Sequence, residues 1–128
     1  MFQGGSAQAA LDLYFSTFPD SRMVRVEHWT QGEPGPAGTI KVAVFTICGR
    51  EFMCSDSPIK HAFSFTPSSS TFVDFDSAVE LDRVFTALSD GGQILMPLDN
   101  YGFSQRFAWL NDRFGVSWQL NFPDKERT

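Results

Sequence analysis

The stretch Thr71-Phe72-Val73-Asp74-Phe75-Asp76-Ser77-Ala78-Val79-Glu80-Leu81-Asp82-Arg83-Val84-Phe85-Thr86-Ala87-Leu88 decides how this chain is read. Thr71 to Phe75 is rich in the β-branched and aromatic side chains that suit a pleated strand. Ser77 stands before Glu80 at the spacing of a capping box, which marks a helix start. Leu81, Val84, Phe85 and Leu88 then recur at three- and four-residue intervals, one apolar stripe along a helix, and Gly91-Gly92 supplies a left-handed C-cap. Further out, Ile94 to Leu98 reads as a strand ending near Pro97, and Phe103 to Leu110 and Val116 to Phe122 as two more. The second half therefore runs strand, helix, strand, strand, strand.

The first half shows the same order. Ser6 precedes Ala7, Ala10, Leu11, Tyr14, Phe15 and Phe18 at helical spacing, and Pro19 closes the segment. Arg22 to Trp29 alternates as a strand does and runs into a loop rich in glycine and proline, Gly32 to Gly38. Thr39 to Cys48 and Glu51 to Cys54 follow as strands. At one ungapped offset Leu11-Asp12 falls on Leu81-Asp82, Phe15 on Phe85, Phe18 on Leu88 and Val24 on Ile94, which together with the shared element order points to an internal repeat.

Gly49-Arg50 predicts a two-residue hairpin turn with glycine first. In that register Ile47 faces Phe52, Thr46 faces Met53 and Phe45 faces Cys54, since opposed residues of an antiparallel pair share a face. Ala43, Phe45, Ile47, Phe52 and Cys54 then form an apolar face fit to lie under a helix, while Val44, Thr46, Cys48, Glu51 and Met53 form a mixed face fit to wall a cavity. Cys48 and Cys54 point to opposite sides, whereas a disulfide needs Cβ atoms about 4 Å apart. Both are expected to stay reduced thiols, in keeping with a reducing compartment. Ser55 to Ser70 contains Pro58, Pro67 and Ser68-Ser69-Ser70 and reads as a connector anchored by buried Ile59, Phe63 and Phe65.

With a net charge of −5 the surface repels a polyanion, which disfavours nucleic acid as a partner. The longest apolar run, Val42 to Cys48, is far short of the roughly 20 residues that span a bilayer, so no membrane partner is expected. The first basic residue is Arg22, too late for a secretory signal, and the expected location is cytoplasmic. Phenylalanine stands out at 14 residues, more than a minimal core of this size needs, and implies an aromatic core or an aromatic cavity.

The run from Tyr101-Gly102-Phe103 through Arg106 to Asp112-Arg113-Phe114-Gly115-Val116-Ser117-Trp118 is similar to the closing motif of the PhnB-like branch of the vicinal oxygen chelate superfamily. Met1-Phe2-Gln3-Gly4, Ala9-Ala10, Tyr14 and Ser64-Phe65-Thr66-Pro67 resemble that branch's opening and its midpoint, so the resemblance covers essentially the whole chain. It implies an α+β glyoxalase/bleomycin resistance fold: two paired βαβββ modules forming curved, mostly antiparallel sheets around a cleft. The chain is then a single domain over residues 1–128, with a first module at 1–54, a connector at 55–70, a second module at 71–122 and a tail at 123–128. Relatives have several residues before Met1-Phe2, so the first strand is expected to be shortened or the start to lie upstream. Members often carry the label 3-demethylubiquinone-9 3-methyltransferase, yet no glycine-rich strand-to-helix turn that would cradle a nucleoside cofactor is present.

Metal-dependent relatives take ligands from the first strand of each half and from a position four residues after a glycine in the last strand. Those later positions are Met53 and Gln119, and the first-strand position of the second half lies in Ser68-Ser69-Ser70. A thioether and a neutral amide are poor donors to a hard ion, so neither a metal nor another cofactor is expected. His28 and His61 read as surface or structural residues, Asp76 as a charge favourable at a helix start, and Arg106 and Asp112 as a salt bridge fixing the final hairpin. The expected function is binding of a small molecule in an aromatic cleft lined by Val44, Thr46, Met53, Phe107, Trp109, Ser117, Gln119 and Asn121, with the protein as a homodimer. The alternative is a metal-dependent enzyme of lyase or dioxygenase type that uses Gln119.

Overall fold

A computed structural model describes residues 1–124, which divide into two compact units between Ser64 and Phe65. Of the expected tail, residues 125–128 lie outside the described residues.

The first unit holds α1 (Ala7–Thr17), β1 (Ser21–His28), β2 (Ile40–Ile47) and β3 (Arg50–Cys54), with antiparallel strand order β1-β2-β3. Ala7, Ala10, Leu11 and Tyr14 are buried along α1, the stripe that the spacing predicts. Ser6 does not cap this helix with its side chain; Oδ1 of Asp56 accepts from the Ala7 N–H at 2.9 Å instead. Ahead of α1 the described residues make a single bridge. Phe2 forms an isolated parallel bridge with Asp56, its N–H donating to the Ser55 carbonyl at 2.7 Å and its carbonyl accepting from Ser57 at 2.8 Å.

The hairpin differs from expectation by two residues. Ile47 pairs with Arg50, Phe45 with Phe52 and Val44 with Met53, so the turn is Cys48-Gly49. Both turn residues have positive φ, 53° and 78°, the type I′ geometry whose twist matches the flanking strands. A slip of two leaves every side chain on its original face. Phe45 still lies under α1, edge-on to Phe15 at 6.0 Å and stacked on Phe52 at 5.6 Å. Cys48, however, sits exposed in the turn rather than on the mixed face; neither cysteine forms a disulfide.

The second unit holds β4 (Thr71–Asp74), α2 (Ala78–Ser89), β5 (Gln93–Asp99), β6 (Arg106–Asn111) and β7 (Ser117–Phe122). Its strand order is β4-β7-β6-β5, with β4 parallel to β7 and the other neighbours antiparallel. Ser77 caps α2 by accepting from the Glu80 N–H at 3.3 Å, but the Glu80 side chain pairs with Arg83, so only half of the capping box forms. Gly91 takes the left-handed conformation (φ 75°) just after the helix.

Phe2 beside the end of β3 occupies the place that β4 holds beside β7, so the two units share one element order. Leu11 and Leu81 are both fully buried, as are Phe18 and Leu88, at the offset read from sequence. Each such side chain contributes roughly 1.5–3 kcal/mol by leaving water. The segment after β3 departs from expectation: Ile59 and Phe63 are 63% and 60% exposed, and the buried residue there is Asp56.

Candidate functional site

In the second unit the side chains of β6 alternate between two environments. Ala108 and Leu110 are fully buried, and the Arg106 Nε donates to Oδ1 of Asp82 on α2 at 2.9 Å, which fixes this as the helix side. Phe107, Trp109 and Asn111 therefore point to the opposite face. Register brings Asn121, Gln119 and Ser117 of β7 alongside them, and Phe72 and Asp74 of β4 alongside Gln119 and Asn121.

This far face is aromatic with polar groups set into it. Phe107 is contacted by Phe72 at 6.4 Å between centroids, edge-on by Tyr101 at 6.1 Å and by Phe103 at 4.9 Å. Phe72, Tyr101 and Phe103 are each partly open to solvent, whereas Phe107 is buried. Trp109 donates its indole Nε1–H to Ser117 Oγ at 2.9 Å, and that hydroxyl lies 2.6 Å from Ser70 Oγ. The Nδ2 of Asn121 donates to Asp74 Oδ1 at 2.7 Å, while Oδ1 of Asn121, on a fully buried side chain, has no hydrogen-bond partner among the described residues.

Five of the sequence-derived site residues, Phe107, Trp109, Ser117, Gln119 and Asn121, thus share one face. The other three, Val44, Thr46 and Met53, lie on the corresponding face of the first sheet, away from α1. Val44 is buried there and Met53 is 65% exposed. Phe72, Asp74, Tyr101 and Phe103 were not among the expected residues. The alternation of Phe72 with Asp74 places both on one side of a strand, but which strand lies beside them depends on a parallel pairing 47 residues away in sequence.

Other expected roles change. Arg106 and Asp112 are not paired: Arg106 binds α2, and Asp112 is buried at the β6–β7 turn, where Oδ1 accepts from the N–H groups of Phe114 and Val116. His28 is exposed, and His61 stacks on Phe63 and lies 2.7 Å from Ser57 Oγ. The first unit also has a recess of about 600 Å³ lined in part by Gln3, Thr39, Ser57, Ile59 and Lys60. Its buried polar residue, Asp56, is already satisfied by the N–H groups of Ala7 and Ile40, so the recess offers volume without an unmet partner. The far face of the second sheet, where an acceptor is left over, is the better candidate.

The residues at the superfamily's metal positions do not fit a divalent ion. Met53 presents a thioether and Gln119 a neutral amide, and among the described residues no group of three or more His, Cys, Asp or Glu could hold a metal.

Strand, helix and three further strands, with the first strand parallel to the last, define the glyoxalase/bleomycin resistance fold. A glyoxalase/bleomycin resistance protein from Albidiferax ferrireducens T118 matches over 97% of this chain and 95% of its own, at TM-score 0.61 and 14% identity, a likeness of fold alone. The family model described as 3-demethylubiquinone-9 3-methyltransferase matches residues 1–121, and the chain belongs to that family. A solved PhnB protein from Bacillus cereus is 46% identical, at TM-score 0.90 over 95% of this chain and 94% of that one. Protein YjdN of Escherichia coli (strain K12) is 25% identical over 122 residues, 95% of this chain and 82% of that protein. No helix among the described residues is long and apolar enough to cross a membrane.

Proposed function

We propose that the protein binds a small organic molecule, without a catalytic metal, on the face of its second sheet that turns away from α2. The observation that carries this reading is the joining of an aromatic cluster, Phe72, Phe107, Tyr101 and Phe103, to a fully buried asparagine whose carbonyl oxygen lacks a partner among the described residues. Apolar area with a few placed polar groups is what a small-molecule site requires, and a buried acceptor left unmade is costly unless something meets it. We propose a homodimer as the working form: Val24, Val26 and Met53 leave apolar surface on the two outer strands of the first sheet, β1 and β3. Sedimentation tests that form, and a monomer at micromolar concentration contradicts it.

The binding reading is tested by thermal denaturation of the full chain with a panel of small aromatic compounds. A ligand at one hundred times its Kd stabilises a protein by about 2.7 kcal/mol, which is several degrees for a chain of this size. At least one compound is expected to raise Tm by that amount. A flat response across the panel at millimolar concentration contradicts the reading.

A further inference from the structure

The charge of the proposed face is one-sided. The carboxamide of Asn121 is oriented by Asp74, because exchanging its O and N would set oxygen against the carboxylate oxygen that now accepts from Nδ2. Oδ1 of Asn121 therefore faces elsewhere, unpartnered, and on the same face Oδ1 of Asn111 is buried and unpartnered too. Asp74 is exposed, and Asp99 lies opposite Phe107 on β5. Among the described residues, the buried unmet side-chain atoms of this face are both acceptors, and the charged groups that register places on it are both carboxylates.

The cations among the described residues of the second unit are committed elsewhere. Residues 65–124 contain no lysine, and their three arginines, Arg83, Arg106 and Arg113, pair with Glu80, Asp82 and Asp90. None of these pairs involves a residue of the far face. On the same face stands the exposed ring of Phe72, tilted against Phe107, and a ring face attracts a cation through its π-electrons.

Resting on the binding reading above, we infer that the ligand is an aromatic ammonium compound: a planar apolar body laid against Phe72 and Phe107, carrying a protonated amine taken by Asp74. Asp74 receives the charge because it is exposed, and the buried Asn121 stays hydrogen-bonded to it. An anionic ligand is repelled by the carboxylates of Asp74 and Asp99, whereas a neutral isostere keeps the ring contact and loses the charge-assisted hydrogen bond.

The test is an NMR titration of the full chain at pH 7 and low salt with three probes of similar size: 2-phenylethylamine, 2-phenylethanol and phenylacetate. The amine is expected to bind at least tenfold more tightly than the alcohol, to shift the backbone amides of Phe72, Asp74 and Asn121, and to weaken as salt is added; phenylacetate binds least. In Asp74→Asn, checked for an unchanged fold by its amide spectrum, the advantage of the amine over the alcohol shrinks to less than threefold while the alcohol still binds. Equal affinity of amine and alcohol at this face overturns the inference and leaves the binding reading standing. Absence of shifts on this face with all three probes overturns both.

Discussion

Trp118 donates its indole Nε1–H to Oδ2 of Asp112 at 2.9 Å, tying β7 back to the turn that precedes it. The other oxygen of the same carboxylate accepts from Phe114 and Val116, so one buried side chain satisfies three donors at a turn that Gly115 completes with φ 88°. Asp112→Ala leaves all three without their acceptor and is expected to cost about 3 kcal/mol. Trp118→Phe, which vacates one bond and trims one ring, is expected to cost roughly half as much. Urea denaturation of both variants checks the ranking, and an Asp112→Ala protein as stable as wild type contradicts it.

The type I′ turn at Cys48-Gly49 makes a second prediction. A non-glycine residue at positive φ is unfavourable, and asparagine tolerates that region best. Cys48→Asn is expected to raise stability by about 0.5 kcal/mol, read as a higher urea midpoint with an unchanged m-value. Had the turn been Gly49-Arg50, the substitution would fall at the end of a strand, where asparagine is disfavoured, and the midpoint would drop.

Gly35 is buried beneath Trp29, and a Cβ there would lie 2.4 Å from the indole ring. The ring is held from other sides, by its Nε1–H donating to the Asp56 carbonyl at 3.2 Å and by Lys41 Nζ, 5.4 Å from its centroid. Gly35→Ala is therefore expected to overpack the loop at a cost of about 2 kcal/mol, whereas Gly32→Ala, with open space around its Cβ but φ 92°, pays only backbone strain. Equal stability of Gly35→Ala and wild type in urea would show that the ring yields freely.

The thiols should separate by reactivity. Burial pushes the Cys54 thiol up to about 11, with the nearby Asp56 carboxylate adding to the shift, while Cys48 lies exposed in its turn. Thiolate is the reactive form, so a raised value means little of it at pH 8. Iodoacetamide at pH 8 is expected to modify Cys48 at least ten times faster than Cys54, and the Cys54 rate should climb as pH rises from 9 to 11. Peptide mass spectrometry resolves the two sites; comparable rates at pH 8 contradict the burial of Cys54.

Local patterns carried most of the fold. The stripes Ala7-Ala10-Leu11-Tyr14 and Leu81-Val84-Leu88 and the alternation of β2 depend only on near neighbours, and the chain order of elements follows from them. The hairpin faces survived a misplaced turn because a shift of two residues conserves side-chain direction. Partners distant in sequence were not legible. Asp56 caps α1 from 49 residues away, Arg106 reaches back to Asp82, and Asp74 meets Asn121 only because β4 lies parallel to β7. The same limit applied to the candidate site: alternation placed Phe107, Trp109, Ser117, Gln119 and Asn121 on one side of a sheet, but Phe72 and Asp74 join them through a strand pairing that no local pattern encodes.

Co-crystallisation of the full chain with the strongest stabiliser from the aromatic panel tests the central claim most directly. The account predicts electron density for the compound against Phe72, Phe107 and Gln119 on the second sheet, with a polar group directed at Asp74. Density confined to the recess beside Gln3, Thr39 and Ile59, with that sheet face bare, would contradict it.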